Sequence, residues 1–293
     1  MSASALALVV FAGLIHAVWN IAAKKAGGDA RFAAFTSVIG IVIWAPVGIW
    51  FSWGVVPGWG ALEWGFVAVS GVLHVLYYVT LLRGYRKSDL TVVYPMARGS
   101  GPLLSSAVAI LLLGERITAF GLAGIAAVVA GVFLIAGGPA LFRAAHDPAK
   151  KAMVRKGMAY GLATGVFIAS YTVVDGYAVK LLAMSPILLD YFSTFVRIGF
   201  LAPAALRERA ALADLWRRQW KYALVVAGIS PIGYVLVLYA MQTAPLSHVA
   251  PAREVSMLFA ALIGGQLLGE GDRLLRIAGA ACIAAGVMAL ALG

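Results

Sequence analysis

Charge is what this chain has least of. Only 12% of its 293 residues are Asp, Glu, Lys or Arg, while 62% are hydrophobic and the mean hydropathy is +0.93. Soluble domains carry about 25% charged residues, so a water-soluble fold is excluded and no stretch is left for a separate soluble domain. A single cysteine, Cys282, excludes an internal disulfide, and its apolar surroundings make it a small packed residue. Catalytic signatures are missing too. There is no Gly-x-Ser-x-Gly, no His-Glu-x-x-His, no phosphate-cradling loop and no metal-spaced Cys/His cluster. The expectation is a protein that is not an enzyme, needs no cofactor or metal, and carries no ATP-driven engine of its own. No basic stretch precedes the first apolar run, so that run reads as a retained membrane helix rather than a cleaved signal.

What the chain does have is long apolar runs. About 20 apolar residues cross a bilayer as a helix, and ten runs of that kind lie near 4–23, 32–53, 61–83, 90–113, 119–137, 157–180, 186–206, 220–240, 245–268 and 274–292. An open sheet leaves backbone groups unsatisfied in hydrocarbon, so the spans are helical and the fold is all-α. The net charge of +11 belongs to the loops between them. Eighteen of the 23 basic residues sit in the loops after spans 1, 3, 5, 7 and 9, and the alternate loops hold only Arg116 and Lys180. Basic loops stay cytoplasmic. The excess charge therefore orients a multi-pass protein with both termini away from the cytoplasm, the expectation being the periplasmic side of a bacterial inner membrane, and it is not a nucleic-acid footprint. Trp216 and Trp220, flanked by Arg217, Arg218 and Lys221, suit anionic headgroups. The expected partners are the lipid bilayer and a small-molecule substrate, with a monomer sufficient.

The chain repeats itself. "ARGSGPLLSSAVAILLLGE" (Ala97–Glu115) returns 155 positions later as "AREVSMLFAALIGGQLLGE" (Ala252–Glu270), and Leu81–Arg98 aligns without gaps on Leu236–Arg253. Gly124 and Gly131 recur as Gly279 and Gly286, and Ala45-Pro46 as Ala202-Pro203. "GLIHAVWN" can be laid on "GVFIASYT", pairing Trp19 with Tyr171 and Asn20 with Thr172. This divides the chain into a five-span repeat over 1–138, a basic linker over 139–156 and a second repeat over 157–293. Five is odd, so the second copy enters the membrane inverted, about a pseudo-two-fold axis in the membrane plane. Secondary transporters share that plan, with a substrate site near mid-depth between the repeats. Two similar, opposed halves could open such a site to one side and then the other.

Ten spans as five plus five, "LLLGE" and "QLLGE" closing spans 4 and 9, and glycine-rich spans 5 and 10 resemble the EamA branch of the drug/metabolite transporter superfamily. The resemblance covers essentially the whole chain, and the YddG-type amino-acid exporters are nearest in size and spacing. It implies alternating-access movement of amino acids or related metabolites, often as export. Many members place an acidic-Pro pair early in spans 4 and 9, where this chain reads Gly101-Pro102 and Ser256-Met257. Export of drugs or other metabolites by the same fold is the alternative, and an intramembrane enzyme using His74, Asp175 or Glu254 a more distant one.

A charge near a helix centre costs about 2.5–3.5 kcal/mol on insertion scales, so charges within spans need a function or a partner. Arg98 and Arg253 occupy equivalent places in spans 4 and 9 and are candidates to grip a carboxylate bidentately. Inverted halves place them on opposite sides of the midplane. Arg197, Asp175, Asp190 and Glu254 complete a balance of three against three, so structural pairing competes with ligand binding. Glu254 has no acidic counterpart, since Gly99 matches it. It could meet a substrate ammonium, carry a coupling proton, or neutralise Arg197. His74 and Tyr78 share a face of span 3. Trp19, Asn20, Tyr171 and Tyr234 add rings and hydrogen-bonding groups from spans 1, 6 and 8. Pro231, Pro95 and Pro251 are expected to kink or break spans 8, 4 and 9.

Overall fold

The structure is a computed structural model that describes residues 1–26, 30–88, 90–135, 148–207, 209–268 and 273–293. All its regular structure there is helical. The helices are α1 (Ala3–Ala26), α2 (Ala30–Ser52), α3 (Ala61–Lys87), α4 (Leu90–Leu111), α5 (Ala119–Ile135), α6 (Pro148–Lys180), α7 (Pro186–Leu206), α8 (Arg209–Thr243), α9 (Leu246–Ala252), α10 (Val255–Leu268) and α11 (Arg273–Leu292), with one 3₁₀ turn at Val56–Gly58. The ten expected spans are all present, α9 and α10 together forming the ninth. Six of the helices, α1, α2, α3, α6, α8 and α11, are long and apolar enough to cross a membrane on those grounds alone, and α5 is a shorter apolar helix. Those that fall short, α4, α7, α9 and α10, are the ones that carry or border Arg98, Asp190, Arg197, Arg253 and Glu254. The outer surface is apolar, with Trp50, Trp53, Leu111 and Leu292 all largely exposed, as suits a lipid solvent. The interior leans on Ala, Val and Gly, which let backbones approach closely.

The inversion is visible in one helix pair. A Cβ built on Gly131 would stand 2.6 Å from the carbonyl oxygen of Gly279, and one on Gly124 would stand 2.8 Å from that of Gly286. The converse contacts measure 2.7 and 2.8 Å. Numbers rise along α5 as they fall along α11, so equivalent helices of the two repeats cross antiparallel. Only glycine permits backbone against backbone at four reciprocal points.

The repeats are not free-standing bundles. Their main packing runs between halves, and it comes in swapped pairs: α1 against α8 is matched by α6 against α3, α4 against α6 by α10 against α1, and α3 against α7 by α8 against α2. The α2–α7 and α5–α11 contacts map onto themselves. The ends sort as alternating spans require. Met1 donates its terminal ammonium to Ala291 O at 2.9 Å, joining the two termini. At the same end Glu115 reaches Lys180 and the start of α9. Ser88 donates to Met153 O at 2.9 Å, joining the start of α6 to a basic loop at the opposite end.

The proline expectations divide. The ninth span breaks at Arg253–Glu254, just after Pro251, and the backbone passes the break on i→i+3 bonds from Glu254 N to Pro251 O (3.0 Å) and Met257 N to Glu254 O (2.8 Å). Pro95 and Pro231 lie inside uninterrupted helices α4 and α8. The break is therefore one-sided, although the sequences flanking it are repeated. The first half of the proposed linker, 139–147, and Glu270 of the second motif lie outside the described residues.

Candidate functional site

A cavity of about 420 Å³ lies among α1, α2, α3, α4, α6, α7, α8 and the α9–α10 break. Trp19, His74, Tyr78, Arg98, Tyr171, Tyr234 and Arg253 all line it. A larger groove, about 630 Å³, runs along α4 and α5, but from Leu103 to Phe133 its wall is apolar apart from Ser106 and offers a polar ligand no orientation.

The two arginines converge on one carboxylate rather than forming two separate sites. Arg98 Nη2 stands 2.8 Å from Glu254 Oε2, and Arg253 Nε stands 3.8 Å from Oε1. Neither Glu254 oxygen meets hydrogen-bond geometry, so the contact is charge against charge. Arg98 Nη2 also donates to Ser256 Oγ at 3.1 Å, and Arg253 Nη2 to Tyr171 OH at 3.4 Å. The Arg253 guanidinium carbon lies 5.8 Å from the Tyr171 ring centre, within cation–π range. Both arginines are nine-tenths buried, and the Nε of each lacks a hydrogen-bond partner. Glu254 is 1% exposed and stands behind them, outside the cavity lining. It neutralises Arg98, not Arg197.

Arg197 belongs to a second pair. Its Nη2 lies 3.0 Å from Asp190 Oδ1 and donates to Thr194 Oγ1 as well. All three line the cavity, as do Tyr77, Trp44 and Ser230. Asp190, Thr194 and Arg197 sit at i, i+4 and i+7 of one helix, a spacing that marks one face and could have flagged them. Trp44 gives no such signal, and its Nε1 donates to Ala227 O at 3.2 Å.

The aromatic wall is ordered by contact. His74 stacks on Tyr171 with ring centres 4.1 Å apart, and meets Tyr234 edge-on at 5.4 Å. Tyr77 approaches Tyr171 at 5.8 Å. His74 Nδ1 is 2.8 Å from Ser70 O. A carbonyl only accepts, so Nδ1 carries the proton, and in the neutral ring Nε2 keeps its lone pair. Besides Glu254, Asn20 is the other candidate that the cavity lining does not include. Its Nδ2 donates to His16 O at 2.8 Å, one turn back on its own helix.

At the end of the molecule where the termini meet, Glu115 closes the loop after α4. It accepts from the backbone N–H groups of Leu246 and Ser247, both at 2.8 Å, and pairs with Lys180 at 3.3 Å. Burial pushes its carboxyl up, but those two N–H donors and Lys180 outweigh it and hold the group below the usual carboxylate range. The glutamate of the first "LLLGE" thus caps the ninth span of the opposite half.

Helices of two inverted halves around a partly open cavity, its largely apolar wall set with arginines and aromatic rings, fit a membrane transporter of the drug/metabolite type. The family model described as the EamA-like transporter family matches residues 3–137 and 155–292, one match to each repeat, and the chain belongs to that family. Among solved structures, one crystal structure of a protein is 17% identical, covering 99% of this chain and 98% of its own with a TM-score of 0.76; the likeness is one of fold. No curated protein matches the chain.

Proposed function

We propose that the chain is a secondary transporter that exports amino acids or related small metabolites across a bacterial inner membrane by alternating access. The halves 1–138 and 157–293, joined by the 139–156 linker, carry the exchange, with both termini periplasmic. The observation that carries the reading is the charge count at the cavity. Asp190 offsets Arg197, but Arg98 and Arg253 share the single carboxylate of Glu254, so one guanidinium lacks a carboxylate of its own at the cavity wall, beside Nε groups that lack partners. A substrate carboxylate supplies the missing anion and accepts from Arg98 and Arg253. Trp19, Tyr78, Tyr171 and Tyr234 enclose its apolar part, and His74 offers an acceptor at Nε2. Because Glu254 is committed to the arginines, it orients them and does not receive the substrate ammonium. Export as the net direction rests on the family resemblance.

The packing supports a refinement of the movement. Since each half is held chiefly by the other, the moving units combine helices from both rather than following the sequence halves. Reconstituted protein preloaded with unlabelled leucine, phenylalanine, alanine, glutamate or lysine tests the reading. Labelled compound should accumulate by counterflow without chemical change. Absence of flux with the whole panel refutes amino-acid transport, flux of organic drugs alone favours the alternative substrate class, and a new chemical product favours an enzyme.

A further inference from the structure

Among the described residues, Asp175 is the one fully buried carboxylate within the spans for which the charge pairs above leave no cation. It lies on α6 one turn beyond Tyr171 and is fully buried. Its Oδ2 accepts from the Tyr234 hydroxyl, and its Oδ1 has no hydrogen-bond partner. Among the described residues no Lys, Arg or His nitrogen comes within ion-pair distance of it, whereas Glu254 and Asp190 each face an arginine. The groups that feel its charge are Ser70 on α3, Asp190 and Arg197 on α7, and Tyr234 on α8. His74 on α3 has its Nδ1 on Ser70 O. Of the other elements packed on α6, α4 carries Tyr94 and Arg98, the latter held by Glu254, and α9 carries His248, beside Ser247 Oγ at 3.2 Å and followed by Arg253. Asp190 and Arg197 cancel each other. An ionised carboxylate at Asp175 has the Tyr234 and Ser70 hydroxyls and no ion-pair partner. It relies on the unmatched guanidinium of the Arg98–Arg253 pair as a distant countercharge, and once a substrate cancels that charge ionisation becomes costly. A neutral carboxyl needs no countercharge. Tyr234 touches Asp175 on one side and lines the cavity on the other.

We propose that Asp175 is a proton-carrying site that exchanges with the cavity beside Tyr234, and that it takes up a proton when a carboxylate substrate binds. The inference rests on the transport reading above. With Asp175 ionised, three carboxylates balance three arginines. An entering substrate carboxylate adds a fourth negative charge, and protonation of Asp175 restores the balance. One O–H bond forms on the Asp175 carboxylate, the proton comes from cavity water, and no electrons are exchanged. Proton and carboxylate then move together, so net flow follows the substrate and pH gradients jointly.

The test adds leucine or phenylalanine to purified protein in weakly buffered detergent containing a pH indicator. The expected result is proton uptake close to one per bound ligand, abolished in Asp175→Asn while binding persists and retained in Asn20→Ala. Binding without proton uptake in the unaltered protein, or uptake that persists in Asp175→Asn, overturns the proposal. A second measurement avoids dependence on that variant's folding. The infrared protonated-carboxyl band of the unaltered protein should grow when ligand binds and shift in Tyr234→Phe; a band that does neither overturns the proposal. If no panel compound binds, the transport reading fails by itself. A pH titration of the ligand-free protein then decides separately: a protonated-carboxyl band that shifts in Tyr234→Phe supports Asp175 as the proton site, and no such band refutes it.

Discussion

Replacing Glu254 with Gln keeps its shape and removes its charge. Glu254 is 1% exposed, with Arg98 at 2.8 Å and Arg253 at 3.8 Å. Breaking a buried pair from one side costs about 3–5 kcal/mol, because the remaining charge stays buried without compensation. Arg98 keeps Ser256 Oγ and Arg253 keeps Tyr171 OH, which places the loss near the lower end of that range. A double-mutant cycle with Arg98→Met isolates the pair. Unfolding in mixed micelles, followed by tryptophan fluorescence, should show Glu254→Gln destabilised by about 3 kcal/mol. The double variant should be less destabilised than the sum of the singles by about 1–3 kcal/mol. Additivity within about 0.5 kcal/mol, or a Glu254→Gln protein as stable as its parent, refutes the idea that this carboxylate holds the arginines.

Other sites give further tests. Gly131→Val puts carbon against the Gly279 carbonyl, which is backbone and cannot swing aside; overpacking of this kind costs about 1–3 kcal/mol, read as a lower unfolding midpoint. Arg253→Met should abolish counterflow of carboxylate substrates while the protein remains folded by gel filtration. Glu115→Gln removes the charge that caps α9 and should cost about 0.5–2 kcal/mol. Because the Glu115 carboxyl is held low in the folded protein, its contribution is full at neutral pH and is lost as pH falls through that lowered value. The stability gap between Glu115→Gln and its parent should therefore close only in acid. Asn20→Ala should leave transport unchanged, since the amide is satisfied on its own helix.

Hydropathy carries the spans because the backbone rule in lipid admits few alternatives, and α1 to α11 follow it closely. The inversion followed from an odd number of spans per repeat, and Gly124, Gly131, Gly279 and Gly286 express it in contact. Seven of nine candidate residues share one cavity because rings and arginines at mid-depth have few places to turn. Asn20 lies outside the lining, bonded to a backbone acceptor one turn away that spacing does not reveal. Glu254 was ambiguous because choosing Arg98 over Arg197 depends on the approach of α4 to the α9–α10 break, which is tertiary. The exchange of packing between halves was hidden for the same reason. Pro95 stands three residues before Arg98 and Pro251 two before Arg253, and of these two spans the one containing Pro251 breaks; nothing in the structure ties the break to that shift.

Access to the cavity from each side of the membrane tests the account most directly. Thr36 lines the cavity, and a Thr36→Cys, Cys282→Ser protein in sealed, oriented vesicles can be challenged with an impermeant thiol reagent from either face. The account predicts labelling from both compartments, with the ratio shifted by a transported amino acid. Labelling from one compartment only, unmoved by any ligand, would contradict it.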